Sequence, residues 1–114
     1  MTTSALVAVE RFNKAFDAKD LDAIMAAMTH DCVFEDTRPP DGNRHVGTDA
    51  VRSAWTELFT ASPRGAFTTE EIMPAGDRVL VRWRYDFENG HVRGVDLFAV
   101  RDGLVAEKLA YVKG

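Results

Sequence analysis

The stretch RVLVRWRYDFENGHVRGVDLFAVR, residues 78–101, decides the fold. Two apolar-rich runs, Arg78 to Phe87 and His91 to Val100, flank Asn89-Gly90, the strongest short signal for a β-hairpin. Reading Asn89-Gly90 as a two-residue turn pairs Glu88 with His91. Counting back, Tyr85 faces Gly94, Trp83 faces Asp96 and Val81 faces Phe98. Side chains alternate along a strand, so these six share one face and Arg82, Arg84, Val95 and Leu97 share the other. The first face holds an acid among aromatics; the second holds two arginines among aliphatics. A one-residue slip on one strand would break this arrangement.

Two more strands flank the hairpin. Ala66 to Met73 precedes it, with a turn at Pro74-Ala75-Gly76-Asp77. Leu104 to Val112 follows it across the tight turn Asp102-Gly103. Upstream the periodicity changes. Leu6, Val9, Phe12 and Phe16 recur at steps of three and four, which predicts a helix from about Ser4 to Ala18. Asp20 is a suitable N-cap for a second, short helix with Leu21, Ile24, Met25 and Met28 on its apolar face, ended by Thr29-His30-Asp31. Cys32 to Asp36 reads as a strand and Arg38 to Gly47 as a loop. Thr48 is expected to cap a third helix, with Asp49 in its first turn and Val51, Ala54, Trp55, Leu58 and Phe59 as its stripe. Ser62-Pro63-Arg64-Gly65 stops it. Three helices, one early strand and a four-strand meander make an α+β chain with helices packed on an antiparallel sheet.

The bulk properties bound the function. The 114 residues fit one domain, 1–114, and 46% hydrophobic content suffices for a core. Chains this small often gain stability by pairing, so a homodimer is expected. A net charge of −4 with interspersed signs lacks the basic stripe that nucleic acid requires. No basic leader and no membrane-length apolar run is visible, so a cytoplasmic protein without a membrane partner is expected. Cys32 is the single cysteine, which excludes an internal disulfide. His30, His45 and His91 lie far apart without metal-ligand spacing, so no metal is expected. Neither a phosphate-binding glycine loop nor a nucleophile elbow is present.

Two aspartates stand out. Asp96, flanked by Val95 and Leu97 and set opposite Trp83, is placed for partial desolvation, which raises a carboxyl pKa. It also suits a structural ion pair with Lys108 or an arginine. Asp36 ends an apolar run before a proline-rich loop, at the mouth of any space the sheet encloses. There it can act as a general base or cap the loop through an Asx-turn. His45, in the same loop, is an acid or base near neutral pH or an exposed loop residue. Trp55, Trp83 and Tyr85 read as core, which in a cavity-forming fold is also wall.

Four segments carry a resemblance: RFNKAFDAKDLDAI (11–24), VFED (33–36), GTDAVR (47–52) and GVDLFAVRDGLVAEKLAY (94–111). Together they resemble the ketosteroid isomerase-like and SnoaL-like proteins of the nuclear transport factor 2-like superfamily, over nearly the whole chain. The resemblance implies a conical, curved antiparallel sheet with three N-terminal helices enclosing a pocket, also described as cystatin-like. It places Asp36 where the isomerase keeps its catalytic base. Asp96 falls where the isomerase keeps a protonated acid, and where the polyketide cyclase-like members keep an acid/base aspartate. It places Phe12 where the isomerase keeps its oxyanion tyrosine, and Trp55 where a supporting tyrosine lies. Neither side chain supplies a hydroxyl, so the implied cavity is isomerase-like with altered or absent chemistry.

The resemblance also favours Lys108, Ala110 and Val112 as the inward set of the last strand. The opposite set would make Tyr111 the pocket donor. It implies a pocket lined by Phe12, Trp55, Trp83, Tyr85, Phe98, Lys108 and His45, holding a small apolar ligand and needing no cofactor. The outer sheet face would meet a second subunit. Two functions fit: a cofactor-independent isomerase or cyclase working by aspartate-mediated proton transfer on a carbonyl compound, or a non-catalytic ligand-binding or interaction domain. Epoxide hydrolysis ranks lower, because Arg82 and Arg84 are expected to point outward.

Overall fold

The computed structural model describes residues 4–114. Its elements run α1 (Ala5–Asp17), α2 (Leu21–Ala26), β1 (Met28–Glu35), β2 (Arg44–Val46), α3 (Thr48–Ala61), β3 (Ala66–Ala75), β4 (Arg78–Phe87), β5 (Gly90–Arg101) and β6 (Leu104–Val112). The six strands form one sheet in the order β2-β1-β6-β5-β4-β3. All neighbours are antiparallel except β1 and β6, which run parallel. That closure brings the early strand, and Asp36 at its end, beside the strand that carries Lys108.

Both long helices lay one apolar stripe on the sheet. α1 buries Ala8, Val9, Phe12 and Phe16, and α3 buries Val51 and Trp55. Ser4 Oγ accepts from Val7 N, and Asp20 Oδ1 accepts from Ala23 N, so each of the first two helices opens on a side-chain cap. The third does not. Gly47 is its N-cap, at φ 88°, and Thr48 is already helical. Gly47 N donates to Cys32 O at 2.8 Å, and only glycine holds that left-handed conformation without strain.

The second helix is shorter than the apolar spacing predicts. Met28 and Thr29-His30-Asp31 belong to β1, because β6 captures the backbone there: Val105 N donates to Ala27 O at 2.9 Å and Met28 lies opposite Val105. The loop 38–47 contains the short strand β2, paired with Val33, Phe34 and Glu35. β3 runs on through Pro74 to Ala75, which the sheet tolerates because β3 is an edge and needs no donor on its open side.

The hairpin register differs by two residues from the expected one. Phe87 pairs with Gly90, Tyr85 with Val92, Trp83 with Gly94, Val81 with Asp96 and Val79 with Phe98. The turn is Glu88-Asn89, and Gly90 begins β5. Asn89 does not take the positive φ that a mirror-image turn demands, and Gly90 falls at the fourth turn position, where glycine is favoured. A shift of two keeps parity, so the two faces hold the residues assigned to them. At Asp102-Gly103, φ values of 54° and 75° make the mirror-image turn that the sequence signals.

Register breaks in β1, in β3 between Thr69 and Glu71, and in β6 opposite Ala99/Val100 bend the sheet. The last lets both Val105 and Lys108 turn inward although they are an odd number of residues apart. Cys32 is fully buried among apolar side chains, and burial pushes its thiol up, away from reactivity. No helix among the described residues is long and apolar enough to cross a membrane.

Candidate functional site

The inner sheet face, α1 and α3 surround a cavity of about 670 Å³. Asp36, His45, Trp55, Trp83, Tyr85, Asp96 and Lys108 all line it. Phe12 and Phe98, expected in the lining, lie beneath it instead. Both are fully buried, and the Phe12 ring packs edge-on against Phe98 at 5.5 Å and against Trp55 at 5.6 Å. The α1 residue that reaches the cavity is Phe16, one turn further on. Phe34 and Phe67 join it as wall residues that the sequence reading did not single out. Tyr111 is 60% exposed on the outer face.

Asp96 and Lys108 form the floor. They come from neighbouring strands and meet with Lys108 Nζ 3.7 Å from Asp96 Oδ2. Asp96 is 7% and Lys108 6% exposed. At that separation and an effective dielectric near 20, the attraction is about 4 kcal/mol. Desolvating the two ions costs several kcal/mol each, so the attraction does not by itself offset their burial. Burial accordingly pushes the Asp96 carboxyl up, against the pull of Lys108 and a weaker one from the Trp83 indole. Burial likewise pushes the Lys108 amine down, against Asp96 and the more distant Asp17. Rings supply the rest of the surroundings: Nζ lies 4.0 Å from the Phe16 ring centre and 5.5–6.0 Å from those of Phe34, Phe12, Trp55 and Phe67.

Small residues make room for these rings. A Cβ on Gly94 would come within 2.3 Å of both the Trp83 indole and the Tyr111 carbonyl oxygen. One on Gly65 would meet the Tyr85 hydroxyl at 1.9 Å. The buried indole N–H groups of Trp55 and Trp83 have no hydrogen-bond partner of regular geometry among the described residues. The Trp83 indole is the one that points toward Asp96.

Asp36 and His45 form the outer end, with side chains 22% and 24% exposed. Asp36 Oδ1 accepts from the backbone N–H groups of Arg38 at 3.0 Å and Asn43 at 2.8 Å. Its Oδ2 lies 3.1 Å from His45 Nε2, and the imidazole stacks on Phe34 at 5.6 Å. Partial burial pushes the Asp36 carboxyl up, but the two amides and His45 outweigh it and hold the group below its ordinary value. Asp36 thus both caps its loop and orients a histidine. β2 is what brings His45 there, opposite Phe34 in the ladder. Recognising that short polar strand would have required its partner.

Arg82 and Arg84 are paired outside the cavity, with Glu71 at 2.9 Å and Asp86 at 3.0 Å. They supply no guanidinium to Asp96. No cluster of three metal-ligating side chains occurs among the described residues. A smaller recess of about 230 Å³, between Lys19, Pro63 and Gly65, lies against the same Phe16, Phe67 and Tyr85.

Residues 9–108 match the SnoaL-like domain family. Among solved structures, an NTF2-like protein of unknown function from Mesorhizobium loti is 41% identical. The match covers 96% of this chain and 91% of that one, with a TM-score of 0.86. A polyketide cyclase candidate from Sinorhizobium meliloti is 27% identical over 90% of this chain and 92% of that one, with a TM-score of 0.80. A computationally designed 17-OHP binder is 28% identical over 98% and 93%, with a TM-score of 0.81. No protein of curated function matches the chain. With its helix-lined curved sheet and a family match spanning most of its length, the chain belongs to the SnoaL-like domain family.

Proposed function

We propose that this protein is a cofactor-independent isomerase or cyclase that moves a proton at the carbon next to a carbonyl in a small, largely apolar compound. The observation that carries this reading is one cavity whose two carboxyl groups are pushed in opposite directions, Asp96 up and Asp36 down. Carboxyl groups separated in this way take different parts in acid–base work: one is biased to carry a proton, the other to stay charged beside a base. Asp96, which burial biases toward its protonated form, donates to the substrate oxygen and stabilises the developing oxyanion. Asp36 is already committed to two amides, so the base at the outer end is His45, with Asp36 orienting it.

The test is proton exchange. Small cyclic and aryl ketones incubated with the protein in heavy water are expected to exchange their α-hydrogens, followed by NMR. Asp96→Asn and His45→Gln should each slow that exchange by about 100-fold or more. Exchange no faster than in buffer, across ketones that bind, would overturn the reading. The second reading, a ligand-binding or interaction domain without chemistry, draws on the similarity to a designed binder and on Phe12, which offers no hydroxyl. It requires tight binding with no exchange, and Asp96→Asn lowering stability while leaving affinity intact.

A further inference from the structure

We propose that Lys108 forms a Schiff base with the carbonyl group of a small aldehyde or ketone bound in the cavity, with Asp96 as its proton relay and counter-ion. This rests on the carbonyl reading above and assigns a covalent step to the same floor. Three features of the geometry carry it. Lys108 is a buried amine that lines the cavity. Its ion-pair partner stands at 3.7 Å, long for a hydrogen bond, so the nitrogen is not locked in a tight pair. Rings surround it, and an amine desolvated by apolar neighbours spends more time neutral, the form that attacks a carbonyl.

The step balances without a co-reactant. The Lys108 ammonium first passes a proton to Asp96; the freed Nζ lone pair attacks the carbonyl carbon, the C–O π pair moves to oxygen, and a proton passing from nitrogen to oxygen completes a carbinolamine. Asp96 then delivers its proton to that hydroxyl, the C–O bond breaks, and water leaves. The product is a protonated imine beside an Asp96 carboxylate. Its positive charge stays on the nitrogen that carries the ammonium in the free protein, facing the same carboxylate and the same rings. A floor built for one buried cation therefore fits the other. The protonated imine also acidifies the neighbouring C–H, which is the hydrogen the proposed reaction removes.

The chain contains internal controls. Its other lysines are Lys14, Lys19 and Lys113; Lys14 and Lys113 are exposed, and Lys19 donates to the Pro63 carbonyl at 2.8 Å. The parent protein is incubated with benzaldehyde and sodium cyanoborohydride, and the reduced adduct is located by peptide mass mapping. The expected result is labelling at Lys108 about tenfold or more faster than at the other three, because burial among rings favours the neutral amine that attacks a carbonyl. Asp96→Asn should slow labelling at Lys108 and leave the other lysines unchanged. Equal rates at all four lysines, or no label at Lys108, would overturn the proposal. Heavy-water exchange that persists without any Lys108 adduct ends the Schiff base and leaves proton transfer standing. A Lys108 adduct without exchange does the reverse.

Discussion

The floor and the outer end of the cavity each pair an aspartate with a basic side chain, and they treat the pair in opposite ways. At the outer end, Asp36 takes two backbone amides and a histidine and keeps about a fifth of its surface in water. At the floor, Asp96 has an ammonium at 3.7 Å, an imperfectly aimed indole and otherwise apolar neighbours. Hydrogen-bond supply, more than charge pairing, separates the two. A carboxylate survives partial burial when fixed dipoles point at it, and drifts toward its neutral form when only a poorly placed cation does.

Breaking the floor pair from one side should have the largest effect. Asp96→Leu leaves Lys108 buried without a counter-ion, a change expected to cost about 3–5 kcal/mol. The cost depends on pH in a definite direction. Burial already depresses the amine's pKa in the folded chain, so the unfolded chain binds more protons below the ordinary lysine value. Stability of the variant therefore rises with pH as Lys108 deprotonates. Urea unfolding at pH 6 and pH 9 checks this, and a pH-independent loss would mean that lost packing, not charge, dominates.

Removing both charges sharpens the contrast. Asp96→Asn with Lys108→Met keeps approximate volume and abolishes two desolvation penalties. The double variant is expected to be more stable than the parent by about 1–4 kcal/mol while losing exchange and labelling. A double variant less stable than the parent would show that the floor pair is a structural ion pair and would weaken both catalytic readings.

Which of these groups can be read from the sequence follows from how local its cause is. Asp20 acts on an amide three residues away, so its cap is visible in the chain; Ser4 caps the first helix in the same way but reads only as its start, and Thr48 reads as a cap where Gly47 is the N-cap. The inward face of the hairpin is visible because parity survives a two-residue shift, although the register itself is not: the turn conformation at Glu88-Asn89 depends on backbone angles that Asn89-Gly90 does not dictate. The floor pair sits on one hairpin, β5 to β6, and can be read from alternation once the resemblance chooses between Lys108 and Tyr111. The outer pair is harder to read. It needs β2 to pair with β1 and the Asn43 amide to return to Asp36 across seven residues. A three-residue strand reading Arg-His-Val has no periodicity of its own. The parallel pairing of β1 with β6 is also invisible, because the two strands lie far apart in the chain, and it is what shortens α2.

The outer pair should be the gentler one to break. Asp36→Asn keeps an oxygen for the two amides but removes the charge that faces His45. The expected loss is about 1 kcal/mol, the order of one charge-assisted hydrogen bond at a partly exposed site. Because the Asp36 carboxyl is held below its ordinary value, its contribution is fully present above the unfolded carboxylate pKa, near 3.8, and fades as pH falls through the lower folded value. Parent and variant should therefore differ at pH 7 and converge under strong acid, which urea titrations at the two pH values measure. The same variant tests who acts as base. With Asp36 only orienting His45, Asp36→Asn should leave a weakened exchange activity in place. If Asp36 is itself the base, exchange falls as far as in Asp96→Asn.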